Sequence, residues 1–194
     1  MGMHIRRGFY SGDTIRIEDN VIKDYAVTGT KNGFTIGVFI DGGEASKTIV
    51  QRNIIQNIQR PDDYYAQGIY LENQRDALVQ SNLISGVVGG LETVYIFTNT
   101  TDGNYVYHSE IRQNTIVGDG SVSNSNQATG IGIGQGTNYS AIKTDVQANI
   151  IELKNWDVAY PIYSLNSSTD SNDYAVNYNL LVVTKGMVGL GFTV

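Results

Sequence analysis

Cysteine is absent from the 194-residue chain. That excludes disulfides, thiol nucleophiles and cysteine-based metal sites. Proline is scarce, with two residues against 22 glycines. Such a balance suits strands joined by tight turns better than it suits helices. No apolar run approaches the roughly 20 residues that a membrane span needs. The opening residues, Met1-Gly-Met-His4-Ile-Arg-Arg7, include no apolar segment of the secretory kind. Positive charge is short as well: 13 Lys and Arg stand against 19 Asp and Glu, a formal net charge of -6. The basic residues are scattered, whereas nucleic-acid binders present a basic stripe. The composition therefore predicts neither a nucleic-acid nor a membrane partner.

What the chain does contain is a repeat. Six copies read aliphatic, two variable residues, Asn, any residue, aliphatic. They are Ile17-Glu-Asp-Asn20-Val-Ile22, Val50-Gln-Arg-Asn53-Ile-Ile55, Val79-Gln-Ser-Asn82-Leu-Ile84, Ile111-Arg-Gln-Asn114-Thr-Ile116, Val146-Gln-Ala-Asn149-Ile-Ile151 and Val176-Asn-Tyr-Asn179-Leu-Leu181. The asparagines step by 33, 29, 32, 35 and 30 residues. A period of that size marks stacked structural repeats. The flanking aliphatics should form two inward columns. Asn should sit where the chain turns, because it hydrogen-bonds nearby backbone and tolerates left-handed φ. One Asn above another also lets amide donor meet amide acceptor along the stack.

A second strand signal precedes each asparagine segment after the first: Gly37-Val-Phe-Ile-Asp41, Gly68-Ile-Tyr-Leu-Glu72, Thr93-Val-Tyr-Ile-Phe97, Gly130-Ile-Gly-Ile-Gly134 and Pro161-Ile-Tyr-Ser-Leu165. Gly186 opens a further candidate. Side chains alternate between the two faces of a strand. Val38/Ile40, Ile69/Leu71, Val94/Ile96 and Ile131/Ile133 should then face a core. Helical repeats of similar period need i, i+3, i+4 apolar spacing over ten or more residues, and no segment has it. A leucine-rich repeat has a shorter period, and a propeller blade needs four strands.

On the Val-x-x-Asn-x-Ile turn and the Gly-Ile-x-Ile strand, the chain resembles the right-handed parallel β-helix family of the pectin-lyase type over roughly residues 11–190. The family includes polysaccharide lyases, polygalacturonase-like hydrolases, uronan epimerases and phage tailspikes. The expectation is an all-β, right-handed, single-stranded parallel β-helix of about six rungs. It would fill residues 1–194 as one domain and form a piece of a longer protein. The segments 56–67, 98–108 and 117–129 read as loops leaving the coil.

Outward positions of the Gly-Ile-x-Ile strand are Phe39, Tyr70, Tyr95, Gly132 and Tyr163, and rungs lie about 4.8 Å apart. Aromatics at equivalent positions would line a ridge. Flat rings suit the C–H faces of sugars, and tyrosine adds a hydroxyl. Phe39, Tyr70, Tyr95 and Tyr163 are the candidate substrate-binding residues. The same residue types also serve as ordinary strand formers under a loop or a second chain. Two positions further along, Asp41 and Glu72 fall on adjacent rungs. A separation near 5 Å would match the carboxyl pair of a retaining glycosidase and raise one pKa above the other. A solvated acidic edge is the plainer reading.

The catalytic signatures of the family do not transfer. Asn-Thr-Asp and Gly-His-Gly are missing, and Asp62-Asp63 lies beside Pro61. The histidines are His4, near the terminus, and His108, placed in a loop before a strand. The epimerase Asp-Pro-His-Asp box is absent. No acidic trio surrounds Arg52, Arg60, Arg75 or Arg112 as a lyase would require. No cofactor is implied. Ca²⁺ would have only Asp119-Gly-Ser and Asp170-Ser-Asn-Asp173 to bind, neither with EF-hand spacing. The sequons at Asn99, Asn138 and Asn166 matter only in a secretory host.

The expected function is polysaccharide binding, with processing undecided, by an extracellular or virion-associated domain. The alternatives are a non-catalytic segment of a tailspike or surface adhesin, and a glycoside hydrolase using Asp41 and Glu72. Open coil ends template aggregation, so a homotrimer or adjoining domains would cover them.

Overall fold

The computed structural model describes residues 2–6, 13–26, 35–41, 47–59, 66–87, 92–98, 106–122, 127–135, 141–165, 173–185 and 187–193. Strand β1 (Met3–Arg6) comes first, and the others follow in threes. They are β2 (Thr14–Glu18), β3 (Val21–Ala26) and β4 (Thr35–Asp41), then β5 (Lys47–Gln51), β6 (Ile54–Gln59) and β7 (Ala66–Glu72). Next come β8 (Asp76–Gln80), β9 (Leu83–Ser85) and β10 (Glu92–Thr98), then β11 (Val106–Arg112), β12 (Thr115–Asp119) and β13 (Gln127–Gln135). The last are β14 (Ala141–Gln147), β15 (Ile150–Lys154) and β16 (Val158–Leu165), then β17 (Asp173–Asn177), β18 (Leu180–Val183) and β19 (Met187–Thr193).

Each strand pairs with the one three places on. The first sheet runs β1-β4-β7-β10-β13-β16-β19. The second contains β2, β5, β8, β11, β14 and β17; the third contains β3, β6, β9, β12, β15 and β18. Pairing is parallel throughout. The chain is an all-β parallel solenoid with three strands per rung.

Both predicted aliphatic columns form in register. Ile17, Val50, Val79, Ile111, Val146 and Val176 stack in the second sheet. Ile22, Ile55, Ile84, Ile116, Ile151 and Leu181 stack in the third. Val38, Ile40, Ile69, Leu71, Val94, Ile96, Ile131 and Ile133 bury the inner side of the first. One continuous core results, because each rung covers the next. The glycine that heads the repeated strand has a packing cause. A Cβ on Gly130 would lie 2.5 Å from Ile151 Cγ2 and 2.6 Å from the Pro161 carbonyl oxygen. On Gly37 it would meet Ile55 Cγ2 at 2.8 Å and the Gly68 oxygen at 2.7 Å.

Between the second and third sheets the asparagines form the expected ladder. The Oδ1 of Asn53 accepts from the backbone N–H and the Nδ2 of Asn20, each at 3.0 Å. Asn82 accepts likewise from Asn53, Asn114 from Asn82, Asn149 from Asn114 and Asn179 from Asn149. Each Nδ2 from Asn53 onward also donates to a carbonyl of the preceding rung, as Asn82 does to Val50 at 2.9 Å.

Several local expectations need correction. The left-handed φ falls on the residue before each Asn and not on the Asn. Asp19, Arg52, Ser81, Gln113, Ala148 and Tyr178 have φ between 54° and 59°. An amide that points along the coil axis needs extended backbone beneath it, so its outward-facing neighbour takes the reversal, at roughly 1–2 kcal/mol each. That neighbour's N–H still reaches the next rung, as Arg52 N does to Gln80 O at 3.1 Å. The first strand, β1, lies upstream of the expected start of the coil. His108 lies within β11 and not in a loop. The predicted loops are shorter: β6 takes residues 56–59, β12 takes 117–119 and β13 begins at 127. Asp62, Asp63, Arg60, Gly186 and the three sequon asparagines lie outside the described residues.

The ladder predicts a graded series. Asn82→Ala removes the side-chain partner of the Asn53 N–H and of the Val50 carbonyl in the interior, at about 1–3 kcal/mol for each such group. Denaturant unfolding should show a loss of about 2 kcal/mol or more. Asn20→Ala, at the partly exposed first rung, should cost clearly less; an equal cost at both positions would refute the buried-ladder account.

Candidate functional site

The outer face of the first sheet assembles the predicted aromatic positions on adjacent strands. Phe39 pairs with Tyr70, Tyr70 with Tyr95, Tyr95 with Gly132 and Gly132 with Tyr163. The structure adds His4, which pairs with Phe39 through β1. The His4 and Phe39 rings stack with centroids 4.7 Å apart at 12°. Phe39 and Tyr70 stack at 4.9 Å and 13°. Rung spacing dictates this, since flat side chains at one position along parallel strands meet face to face. The ring faces therefore cover one another, and this part of the column presents ring edges outward. Tyr163 stands between Gly132 and Gly191 in its column and meets Tyr160 at 5.4 Å and 45°. The Tyr95 side chain lies outside the described residues.

Asp41 ends β4 and Glu72 ends β7, neighbouring strands of the same sheet. Burial raises the Glu72 carboxyl above its ordinary pKa, and the Asp41 charge raises it further. On the opposite side, His4 Nε2 and Arg6 Nε each lie 3.8 Å from Asp41 Oδ2. A histidine and an arginine, an aspartate and a carboxyl that resists ionisation thus follow one another along three strands. Environments that separate two carboxyls in this way can supply an acid beside a base.

Glu72 is also held from behind. Asn73 takes a left-handed φ of 54°. Gln74, only 2% exposed, donates from Nε2 to the Glu72 carbonyl at 2.6 Å. Thr48 donates its hydroxyl to Gln74 Oε1 at 2.7 Å. This brace fixes the turn out of β7. Sequence reasoning missed it because a Thr and a Gln 26 residues apart carry no motif. It missed His4 and Arg6 for a simpler reason, since four residues at the start of a chain give little periodicity.

His108 belongs elsewhere. On the outer face of the second sheet its Nδ1 lies 3.7 Å from Asp76 Oδ1 and its Nε2 3.7 Å from Asp145 Oδ2. Lys47 Nζ is 3.7 Å from Asp76 Oδ2. These half-exposed pairs make a charged surface worth little to stability. Of the cation candidates, Asp119 Oδ1 accepts from Ser121 N–H and Asn155 Nδ2, both at 2.9 Å. The Asn155 bond, then those from Ser121, hold its carboxyl below the usual range. Asp170 lies outside the described residues, as does the Asp173 side chain. Among the described residues no three His, Asp or Glu gather to hold a metal ion.

Searches against protein-family models, curated proteins and solved structures find no match to this chain.

The raised Glu72 carboxyl gives a signed pH prediction. The folded chain holds this proton more tightly than the unfolded chain does. Its ionisation therefore costs stability as pH climbs from the ordinary carboxylate value through the raised one. Glu72→Gln should melt above wild type at neutral pH. The gap should close as pH falls through about 4. Thermal melts across that range decide it; a gap that persists unchanged in acid would contradict the assignment.

Proposed function

We propose that this chain is a polysaccharide-binding domain of the right-handed, pectin-lyase-like kind, extracellular or virion-borne, which takes an extended glycan along the outer face of its first sheet. The supporting observation is the registered column of His4, Phe39, Tyr70, Tyr95 and Tyr163 with the Asp41–Glu72 pair beside it. A glycan running along the coil would meet edge-on rings on β1, β4 and β7, with the carboxyls of Asp41 and Glu72 beside them. With ring faces stacked on each other near β1, recognition there rests on ring edges, the Tyr70 hydroxyl and the carboxylates. Sugars offer hydroxyls to all of these. Affinity electrophoresis in neutral and acidic polysaccharide gels tests this reading. Wild type should be retarded in at least one gel, and Tyr70→Ala and Tyr163→Ala should each weaken binding about ten-fold, near 1.4 kcal/mol. No retardation in any gel, with Tyr70→Ala running like wild type, would leave the non-catalytic structural segment as the better reading. The mutual stacking of His4, Phe39 and Tyr70 also favours that alternative.

The raised Glu72 favours a second reading, cleavage by a carboxyl pair. Glu72 would protonate the leaving oxygen while ionised Asp41 acts as nucleophile or base. Reducing-sugar release from a bound glycan should then vanish in the double variant Asp41→Asn/Glu72→Gln. Release that survives in that variant excludes the pair.

A further inference from the structure

The third sheet carries a column at the position that the repeat leaves variable, directly after each asparagine. Val21, Ile54, Leu83, Thr115, Ile150 and Leu180 stack in register there. Five of the six are aliphatic and exposed, from 37% at Ile54 and Leu83 to 62% at Val21. With Tyr178 at the adjoining corner, they make up all the exposed large hydrophobics among the described residues. Scattered apolar residues on a surface are ordinary, but a contiguous row of them marks an interaction face.

We infer that this column is a self-association face, against which a second copy of the chain packs side by side with its coil running in the same direction. Spacing supports the identity of the partner. The column places one side chain every 4.8 Å or so, and a second copy offers an aliphatic group at the same interval on five of the six rungs, Thr115 standing on the other. Charge supports the direction. Rotation about an axis along the coil sets the corner side of one copy against the far side of the other at the same rung. Lys23 then meets Asp19 of the other copy, and Asp19 meets its Lys23. Arg52 meets Gln56 and Glu152 meets Ala148, so no like charges oppose one another. Lys23 and Asp19 are both well exposed, at 59% and 64%. Asp19 already accepts from Arg52 Nε and Nη2 of its own chain, each at 2.8 Å, so Lys23 of the other copy would join that pair from outside. An antiparallel copy would instead set Lys23 against Val182, covering its charge with an apolar side chain, while Asp19 against Tyr178 would keep only its own Arg52. The row spans five strand steps, about 24 Å. A face of that length and one side chain wide covers far less than the roughly 800 Å² per partner of a standard interface, so the association is weak and depends on concentration. A three-fold arrangement about the same direction brings the same residues together. The face lies on a different sheet from the aromatic column, and its test does not depend on glycan binding.

Sedimentation equilibrium of the full chain over a concentration series is the first measurement. Average mass should rise from monomer toward dimer or trimer, and Leu83→Glu should weaken association ten-fold or more with an unchanged circular dichroism spectrum. Because the chain has no cysteine, Val21→Cys reports direction without background. Under oxidised glutathione it should cross-link to itself. A mixture of Val21→Cys and Leu180→Cys chains should yield like-with-like products. Monomer at every concentration overturns the proposal, as does association that Leu83→Glu leaves untouched. Preferential cross-linking of Val21→Cys to Leu180→Cys overturns the parallel direction.

Discussion

At the corner between the second and third sheets, each buried asparagine amide is bonded on both sides. Its oxygen receives two N–H bonds from the rung before, and its Nδ2 donates both to the rung after and back to a carbonyl of the rung before. An interior amide without those partners would cost the full penalty of an unsatisfied polar group. A slip of one residue would move every asparagine out of line with its neighbours and turn each aliphatic column outward. Register in all three sheets therefore rests on this corner. The outward columns of rings, carboxyls and aliphatics depend on it in turn.

The fold was legible because its determinant recurs at a readable interval. Asn20, Asn53, Asn82, Asn114, Asn149 and Asn179 predicted the stack, and the alternation around Val38/Ile40 and Ile69/Leu71 predicted the inner face. The aromatic column and the adjacency of Asp41 and Glu72 followed from the same counting. Other features escaped because they depend on distances in space. The backbone reversal sits one residue earlier than chemistry by residue type suggested, since Ala148 and Ser81 have no special taste for it and yield only to the demands of the next position. The Thr48–Gln74–Glu72 brace links two rungs through side chains that no spacing rule connects.

The site was only half readable for a different reason. Counting residues places side chains on a face but does not orient their rings. Parallel in-register strands bring like positions within stacking distance, so aromatic residues at His4, Phe39 and Tyr70 satisfy one another first. Burial first, and then the Asp41 charge that the same strand spacing brings alongside, raises the Glu72 carboxyl. Strand spacing thus shields the rings and adds to the perturbation of the carboxyl.

The ladder also has a sense. Each Oδ1 from Asn53 to Asn179 points toward the strand before, and each Nδ2 from Asn20 to Asn149 reaches toward the strand after. Aligned amide dipoles add, as peptide dipoles do along a helix. Here the oxygen end lies toward Asn20 and the N–H end toward Asn179, so the sum is negative at the start of the coil and positive at its finish. That polarity is opposite to that of an α-helix. It runs through a buried corner where little water can screen it. The two ends of this all-β cylinder are therefore electrically unlike, through neutral side chains alone.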